Sequence, residues 1–333
     1  ISQENKCFKY LDQEQKMIVG KSDPDTEVFD LLVFVSRDVE NIKIPSSIKF
    51  IGSYCFSGCK KLSKVEFESD SQLLSIGNGA FYESSIKSLT IPSSVVEFKD
   101  GWCDFTPDFE SVLLSPESKF FKYVDNEKKI VLGKSEPNSG LFDVLLFVPR
   151  DIEHVVVPST IHFIGAGCFS GCKKIKTIEF EKNSQLLCIG KCAFYESSIE
   201  RIVVPKLVKI IGTLAFSKCH SLRSVEFEKE SELMVIDQSA FSESSIEKVS
   251  IPNQVKDLGG SAFYLCKQLK EVEIGNDSEL LSIGQYSFFG SSIEKVTIPK
   301  YVTTIGDYSF SECNQLKVVE FADNSELVSI CPF

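Results

Sequence analysis

Twelve cysteines are the residues of this sequence that most invite a chemical reading. The string CFSGCKK occurs twice, at 55–61 and 168–174. Two cysteines four apart around a glycine suggest half of a metal site, a local disulfide or a redox pair. Cys168, Cys172, Cys188 and Cys192 form the one dense cluster, where an inter-coil disulfide or a four-thiolate zinc site would have to arise. Its spacing is not the usual C-x₂-C pair of zinc proteins. The three histidines, His154, His162 and His220, have no identifiable nucleophile and orienting acid to complete a catalytic set. The acidic strings ESDS (68–71), EKNS (181–184), EKES (228–231), GNDS (275–278) and ADNS (322–325) carry oxygen ligands. They lack the frame of about twelve residues that converges on calcium, and read as turns in which the serine bonds the backbone. No phosphate loop, dinucleotide fingerprint, nucleophile elbow or H-E-x-x-H is present. The reading assigns no catalytic residue, no metal and no cofactor.

What must position these residues is a repeat. Prolines 158, 205, 252 and 299 are 47 residues apart, as are Pro45 and Pro92. The pattern L-x-x-V-x-F/I begins at Val39, Leu62, Ile86, Phe109, Ile152, Ile175, Ile199, Leu222, Ile246, Leu269, Ile293 and Leu316. The steps alternate between 23 and 24, apart from one of 43 after Phe109. Type A units read IPSSIKFIGSYCFSGCKKLSKVEF (44–67) and type B units ESDSQLLSIGNGAFYESSIKSLTI (68–91). The link from strand to glycine is eight residues in type A, Ile44 to Gly52, and ten in type B, Phe67 to Gly77. A larger duplication relates 7–92 to 120–205.

A unit of about 23 residues cannot bury its own apolar face, so coils must stack. V-x-F alternates with period two, which predicts a strand with Val65 and Phe67 inward. Proline after Ile44 or Ile91 lacks an N–H and ends the ladder. Ile51-Gly52 is expected to close a turn where glycine tolerates positive φ. The A-F-x-x-C/S segment is expected to return as a short helical or 3₁₀ turn. The predicted fold is a repeat solenoid with a parallel β-sheet on its concave face and short turns opposite. It is one array over 1–333, with coils from about residue 39 and a degenerate coil at 93–108. Hairpin excursions are expected at 1–38 and 110–151. Because the second excursion leaves a coil at Phe109, the first is expected to have left one too, and the chain to be cut from a longer array.

Aligned this way, Cys59, Cys172, Cys219, Cys266 and Cys313 form a column alternating with Ser84, Ser197, Ser244 and Ser291. Cysteines in it are two coils, about 9.6 Å, apart, beyond the roughly 7 Å a disulfide spans. The column is therefore expected to be a buried ladder of small side chains satisfying backbone groups. Cys55 and Cys168 take the alanine slot of A-F. The residue between the inward strand positions faces outward: Glu66, Glu179, Glu226, Glu273 and Glu320 in one set of coils, Thr90, Val203, Ser250 and Thr297 in the other. The preceding slot adds Lys64, Arg201, Lys248 and Lys295. This face is either a solvated, self-neutralising surface or a protein-binding surface. Trp102, the only tryptophan, is either a hot spot of such a surface or a plug in the degenerate coil.

The charge balance, 36 basic against 47 acidic residues for a net −11, argues against nucleic acid and anionic membrane surfaces as partners. No apolar run approaches the ~18 residues of a spanning helix, so no direct membrane insertion is expected.

The string IP…I-x-x-IG-x-x-AF-x-x-C-x-x-L-x-x-V-x-F, carried by residues 39–330, resembles the BspA-like (Treponema pallidum-type) leucine-rich repeat family. The resemblance implies a right-handed leucine-rich-repeat-like superhelix. It also implies a non-catalytic surface antigen, on the cell surface or secreted, that adheres to a host matrix or cell-surface protein. The rival class is an intracellular leucine-rich repeat scaffold; a hydrolase or metal protein hidden in the excursion is the third. The chain departs from the pattern where type B coils replace Cys with Ser, and where VVEFKDGWCDF (95–105) lacks both IG and AF.

Overall fold

Two β-forming residues separated by one polar residue give an extended segment one apolar and one polar side. In the computed structural model, which describes residues 1, 5–124, 127 and 129–331, that pattern becomes a four-residue strand. The chain divides into two compact units, Ile1–Arg150 and Asp151–Phe333.

The second unit is the more regular. Its strands His154–Val157, Thr177–Phe180, Arg201–Val204, Ser224–Phe227, Lys248–Ile251, Glu271–Ile274, Lys295–Ile298 and Val318–Phe321 pair in that order as one sheet. All the pairings are parallel. A second parallel ladder is built from two-residue strands, among them Cys188–Ile189, Ile210–Ile211, Val235–Ile236 and Asp257–Leu258. The isoleucine of I-G therefore belongs to a strand. The glycine that follows is not left-handed, contrary to the sequence expectation. It is needed for space: a Cβ on Gly284 would lie 2.6 Å from the nitrogen of Gly260 and 2.7 Å from the carbonyl oxygen of Leu258. The backbone of the preceding coil passes there, and only hydrogen fits.

The back of each coil is a third ladder. At 214–219, the N–H groups of Leu214, Phe216 and Lys218 donate to Gln238, Ala240 and Ser242 of the next coil, at 2.7–3.0 Å. The alternate N–H groups of Ala215, Ser217 and Cys219 donate to carbonyls three residues back in their own coil. This alternation requires left-handed backbone at Leu214 and Lys218, with φ of 58° and 56°. Two such residues within five interrupt any helix. The expected helical or 3₁₀ turn is accordingly absent, and no helix occurs among the described residues.

The core follows from the stacking. Phe169, Phe194, Phe216, Phe241, Phe263, Phe288 and Phe310 stack as a column with ring centroids 4.6–5.4 Å apart and planes within 8° of parallel. All but Phe310 are fully buried. Alanine before the phenylalanine, as in Ala215 and Ala240, is fully buried and lets the coils approach.

In the first unit, Asn41–Ile44 pairs with Lys64–Phe67 and Ser88–Ile91 with Ser111–Leu114, as two separate parallel pairs. The short ladder runs through Phe50–Ile51, Ser75–Ile76 and Glu97–Phe98. The N-terminal excursion is a meander, Phe8–Tyr10, Met17–Gly20 and Leu31–Val35, whose last strand joins that ladder at Phe50–Ile51. The second excursion repeats it with Lys122–Tyr123, Val131–Gly133 and Val144–Phe147. Most of its polar turn, at 125–128, lies outside the described residues, as do Pro332 and Phe333. Because Ser111–Leu114 still belongs to a coil, this excursion starts after Leu114 rather than at 110.

Trp102 is 2% exposed, which removes it as a surface hot spot. The N–H of Phe56 donates to Ala80 and that of Phe81 donates to Trp102, so Trp102 stands in the alanine slot and Cys103 in the phenylalanine slot. Large and small have changed places. The indole fills the gap against Phe81, Phe98, Phe109 and Phe147, and buried Arg150 donates to the Cys103 carbonyl at 3.2 Å.

Candidate binding face

The outward residues of the four-residue strands are the exposed side chains that the repeat sets in register without using them for packing. In the second unit the ladder aligns Val203 with Glu226, Ser250 with Glu273 and Thr297 with Glu320. Val156 aligns with Glu179; the sequence reading passed over it, and it is 45% exposed. Val203 is 48% exposed beside Glu226. Glu179, Glu226, Ser250, Glu273 and Glu320 are exposed and Thr297 partly so, with Arg201, Lys248 and Lys295 exposed one step earlier on their strands. Lys64, Glu66 and Thr90 occupy the same positions in the first unit.

The pairing alternates in extent. Arg201–Val204 and Ser224–Phe227 are matched at four positions, as are Lys248–Ile251 with Glu271–Ile274 and Lys295–Ile298 with Val318–Phe321. The intervening contacts are single matches: Thr177 with Arg201, Ser224 with Lys248, Glu271 with Lys295. Each single match follows a KVEF-type strand, after which the link to the glycine position is two residues longer. In the first unit the Lys64–Phe67 and Ser88–Ile91 strands belong to separate sheets.

Clefts open where the strands part. One of about 880 Å³ lies between Ser224–Phe227 and Lys248–Ile251, lined by Val225, Phe227 and Ile251 together with the charged Arg223, Glu226 and Lys248. A second, of about 560 Å³, lies between Glu271–Ile274 and Lys295–Ile298. The first unit has one of about 710 Å³ between Lys64–Phe67 and Ser88–Ile91.

Charge on the face is neutralised unevenly. Lys248 Nζ is 2.7 Å from Glu273 and 3.2 Å from Glu271, and Lys295 Nζ is 2.7 Å from Glu320. Glu66 pairs with Lys64. In each case the hydrogen bond from the lysine is the main influence holding the glutamate below its usual range. Among the described residues Glu179 and Glu226 have no ion pair, and Glu226 accepts only from Ser224 Oγ at 3.2 Å. Arg201, one register step from both, pairs with neither.

Residues that suggested chemistry are occupied elsewhere. Cys219, Cys266 and Cys313 donate to the carbonyls of Phe194, Phe241 and Phe288 at 3.0 Å and meet Ser197, Ser244 and Ser291 at 3.4–3.5 Å. This is the expected small-residue ladder. Burial pushes the Cys219 and Cys266 thiols up to about 12. Cys168, Cys172 and Cys192 are buried and Cys188 is partly so. Among the described residues no group of three or more His, Cys, Asp or Glu could hold a metal ion. The acidic loops have structural work: Ser71, Ser184, Ser231, Ser278 and Ser325 each accept from the N–H two residues on. Glu68, Glu181 and Glu228 accept from the backbone N–H of Ser46, Ser159 and Lys206 in the preceding coil. The Ser159 backbone donor is the main influence lowering Glu181. His154 Nδ1 lies 3.3 Å from Thr177 Oγ1. No helix among the described residues is long and apolar enough to cross a membrane.

Coils of 23 and 24 residues, each contributing an L-x-x-V-x-F strand to a parallel sheet, define a leucine-rich repeat solenoid. The chain belongs to the BspA type leucine rich repeat region family, whose six-copy unit matches residues 30–130, 146–270 and 234–331. Solved structures share the fold. A leucine-rich repeat protein from Eubacterium ventriosum aligns with a TM-score of 0.66 and 23% identity, covering 82% of this chain and 76% of that one. A leucine rich cell surface protein from Faecalibacterium prausnitzii aligns at 0.57 and 20%, covering 87% of this chain and 63% of its own. The pneumococcal vaccine antigen PcpA aligns at 0.55 and 19%, covering 85% and 68%. None of the curated proteins matches the chain.

Proposed function

We propose that this chain is a non-catalytic recognition module, displayed on a cell surface or secreted, that binds a protein partner through the outward face of its four-residue strands. The observation that carries this reading is the division of labour within the coil. The phenylalanine, the cysteine or serine, the glycine and the acidic loop are each committed to stacking or turns, whereas the outward strand residues are aligned by register and left exposed. A periodic face of this kind is what repeat proteins use to engage extended partners. Surface location is supported by two fold relatives, a cell surface protein and a vaccine antigen.

The test is a pull-down from surface-labelled host cells and from purified matrix proteins, with a variant reversed at Glu66, Glu179, Glu226, Glu273 and Glu320. Retention of a specific protein by the native chain and its loss by the variant supports the face. Equal retention by both removes it.

A further inference from the structure

The two excursions are copies, and a coil covers only the second. The duplication that relates 7–92 to 120–205 sets Phe8, Tyr10, Phe34 and Arg37 opposite Phe121, Tyr123, Phe147 and Arg150. Phe121 and Phe147 are 4% and 1% exposed, and Arg150 is buried with them. Phe8 and Phe34 are 42% and 36% exposed, and Arg37 is exposed beside them. We infer that the outer face of the first excursion is a docking surface for a repeat coil of the kind formed by 93–114, supplied by the same polypeptide ahead of Ile1.

The covered copy shows what such a coil must bring. Phe121 packs on Phe98 with ring centroids 4.6 Å apart, and Phe147 packs on Phe109 at 4.9 Å and Trp102 at 6.5 Å. Tyr123 Oη donates to the Val112 carbonyl at 3.0 Å and accepts from the Leu114 N–H at 2.8 Å. Arg150 turns Nη1 toward the Val148 carbonyl of its own excursion at 3.5 Å and Nη2 to the Cys103 carbonyl of the coil at 3.2 Å. Aromatic area, a tyrosine hydroxyl and one half of a guanidinium are thus all satisfied by the coil in front.

The first excursion keeps these groups. Arg37 lies over the Phe34 ring as Arg150 lies over Phe147. Its Nη1 donates to the Val35 carbonyl at 3.0 Å and to that of Cys55 in the following coil at 2.9 Å. Its Nη2, the atom that in Arg150 reaches Cys103, has no partner among the described residues. Tyr10 Oη accepts from the Ile1 nitrogen at 3.3 Å, nine residues back, as Tyr123 accepts from Leu114 nine residues back. Leu114 is the last residue of a coil strand. Ile1 stands in its place, so the chain leading into Ile1 is the one positioned to form the missing coil.

The composition of that coil follows from what it meets. Against the second excursion the large and small members of the A-F pair are exchanged, so that Trp102 reaches Phe147 and Cys103 leaves room for the Arg150 head. Phe34 and Arg37 pose the same demand, and the docking coil is expected to carry the same exchange.

The first test is the sequence of the transcript upstream of the Ile1 codon. The expected reading is an L-x-x-V-x-I strand ending on Ile1, preceded by a bulky residue and then a small one in place of A-F, at the spacing that separates Trp102 from Phe121. An initiation codon directly before Ile1, or upstream sequence without the repeat, overturns the inference. The second test compares thermal unfolding of the 333-residue chain with that of the protein extended by its preceding coil. Phe34→Ser should lower the midpoint of the extended protein by about 4 °C more than that of the shorter chain. Phe8→Ser, at the more exposed ring, serves where Phe34→Ser fails to fold. Phe147→Ser, whose covering coil is present in both proteins, should lower both midpoints alike. An equal effect of Phe34→Ser and of Phe8→Ser in the two proteins overturns the docking. Self-association of the shorter chain in the ultracentrifuge that Phe34→Ser abolishes would assign the face to a second copy and overturn the tandem coil.

Discussion

The thiols of Cys219 and Cys266 are each closed off by a phenylalanine carbonyl below and a serine hydroxyl beside. Forming a thiolate there would cost the desolvation of a full charge, which is why burial drives both up to about 12. The sign of the linkage follows. A folded-state value above that of the unfolded chain gives stability that is complete below about pH 9 and is lost as pH rises toward 12. The urea midpoint should therefore fall steadily across that range. The double variant Cys219→Ser, Cys266→Ser should flatten this decline while costing about 1 kcal/mol or less per site near neutrality, because serine already serves in the same column at Ser197 and Ser244. A midpoint whose alkaline decline is identical in the variant would show that other groups govern it. At this scale much was legible: the Cys/Ser alternation and the serine of each acidic loop follow from spacing. The fate of Trp102 was only half legible. Sequence offered it as a plug, but its exchange of slots with Cys103 depends on which carbonyl the Phe81 N–H reaches, a fact set by the neighbouring coil.

Among the elements, the four-residue strands were readable because period-two alternation and a following proline are local signals. The back turn was not. Its sequence, small residue then phenylalanine, is compatible with one turn of helix. What forbids helix is that every second N–H is taken by the next coil, which forces residues such as Leu214 and Lys218 into left-handed backbone. The alternation of full and single strand pairing was present in the sequence as the 23 and 24 residue steps, but its consequence required the sheet. Deleting Ser231 and Glu232, so that the Phe227-to-Asp237 link shortens to the length of the Ile251-to-Gly259 link, should bring Ser224–Phe227 and Lys248–Ile251 into register at all four positions. The cleft between them should close. A crystal structure of the variant checks this, and a persistent single match would mean that link length is not the cause.

Over the whole molecule, stacking is the organising force, and each unit is stable only as its coils bury one another. Phe241 lies between Phe216 and Phe263 in the aromatic column, with centroids 5.2 and 5.3 Å away. Phe241→Ala removes a ring from a packed column that cannot collapse along its axis without breaking the backbone ladders on three sides. A loss of about 3–5 kcal/mol is expected, read from urea unfolding. A loss below about 1 kcal/mol would show that the column is not the main support of the second unit. At this scale too lies the contrast between faces: the acidic balance of the chain is uniform in composition, but its unneutralised part on the second unit's sheet falls on two neighbouring KVEF-type strands.

The amino-acid sequence by itself determined the repeat, its two coil types, the inward and outward residues of each strand and the family. These depend on spacing and on burial of apolar side chains, which a periodic chain states many times over. Only the tertiary structure decided which outward carboxylates are already paired, where strands part into clefts, that glycine after isoleucine answers to a passing backbone rather than to φ, and that the back of the coil is a ladder and not a helix. Each of these is a property of one coil against the next. Apart from the Lys64–Glu66 pair within one strand, the residues involved lie more than twenty apart in sequence, and no single coil records what its neighbour will place beside it.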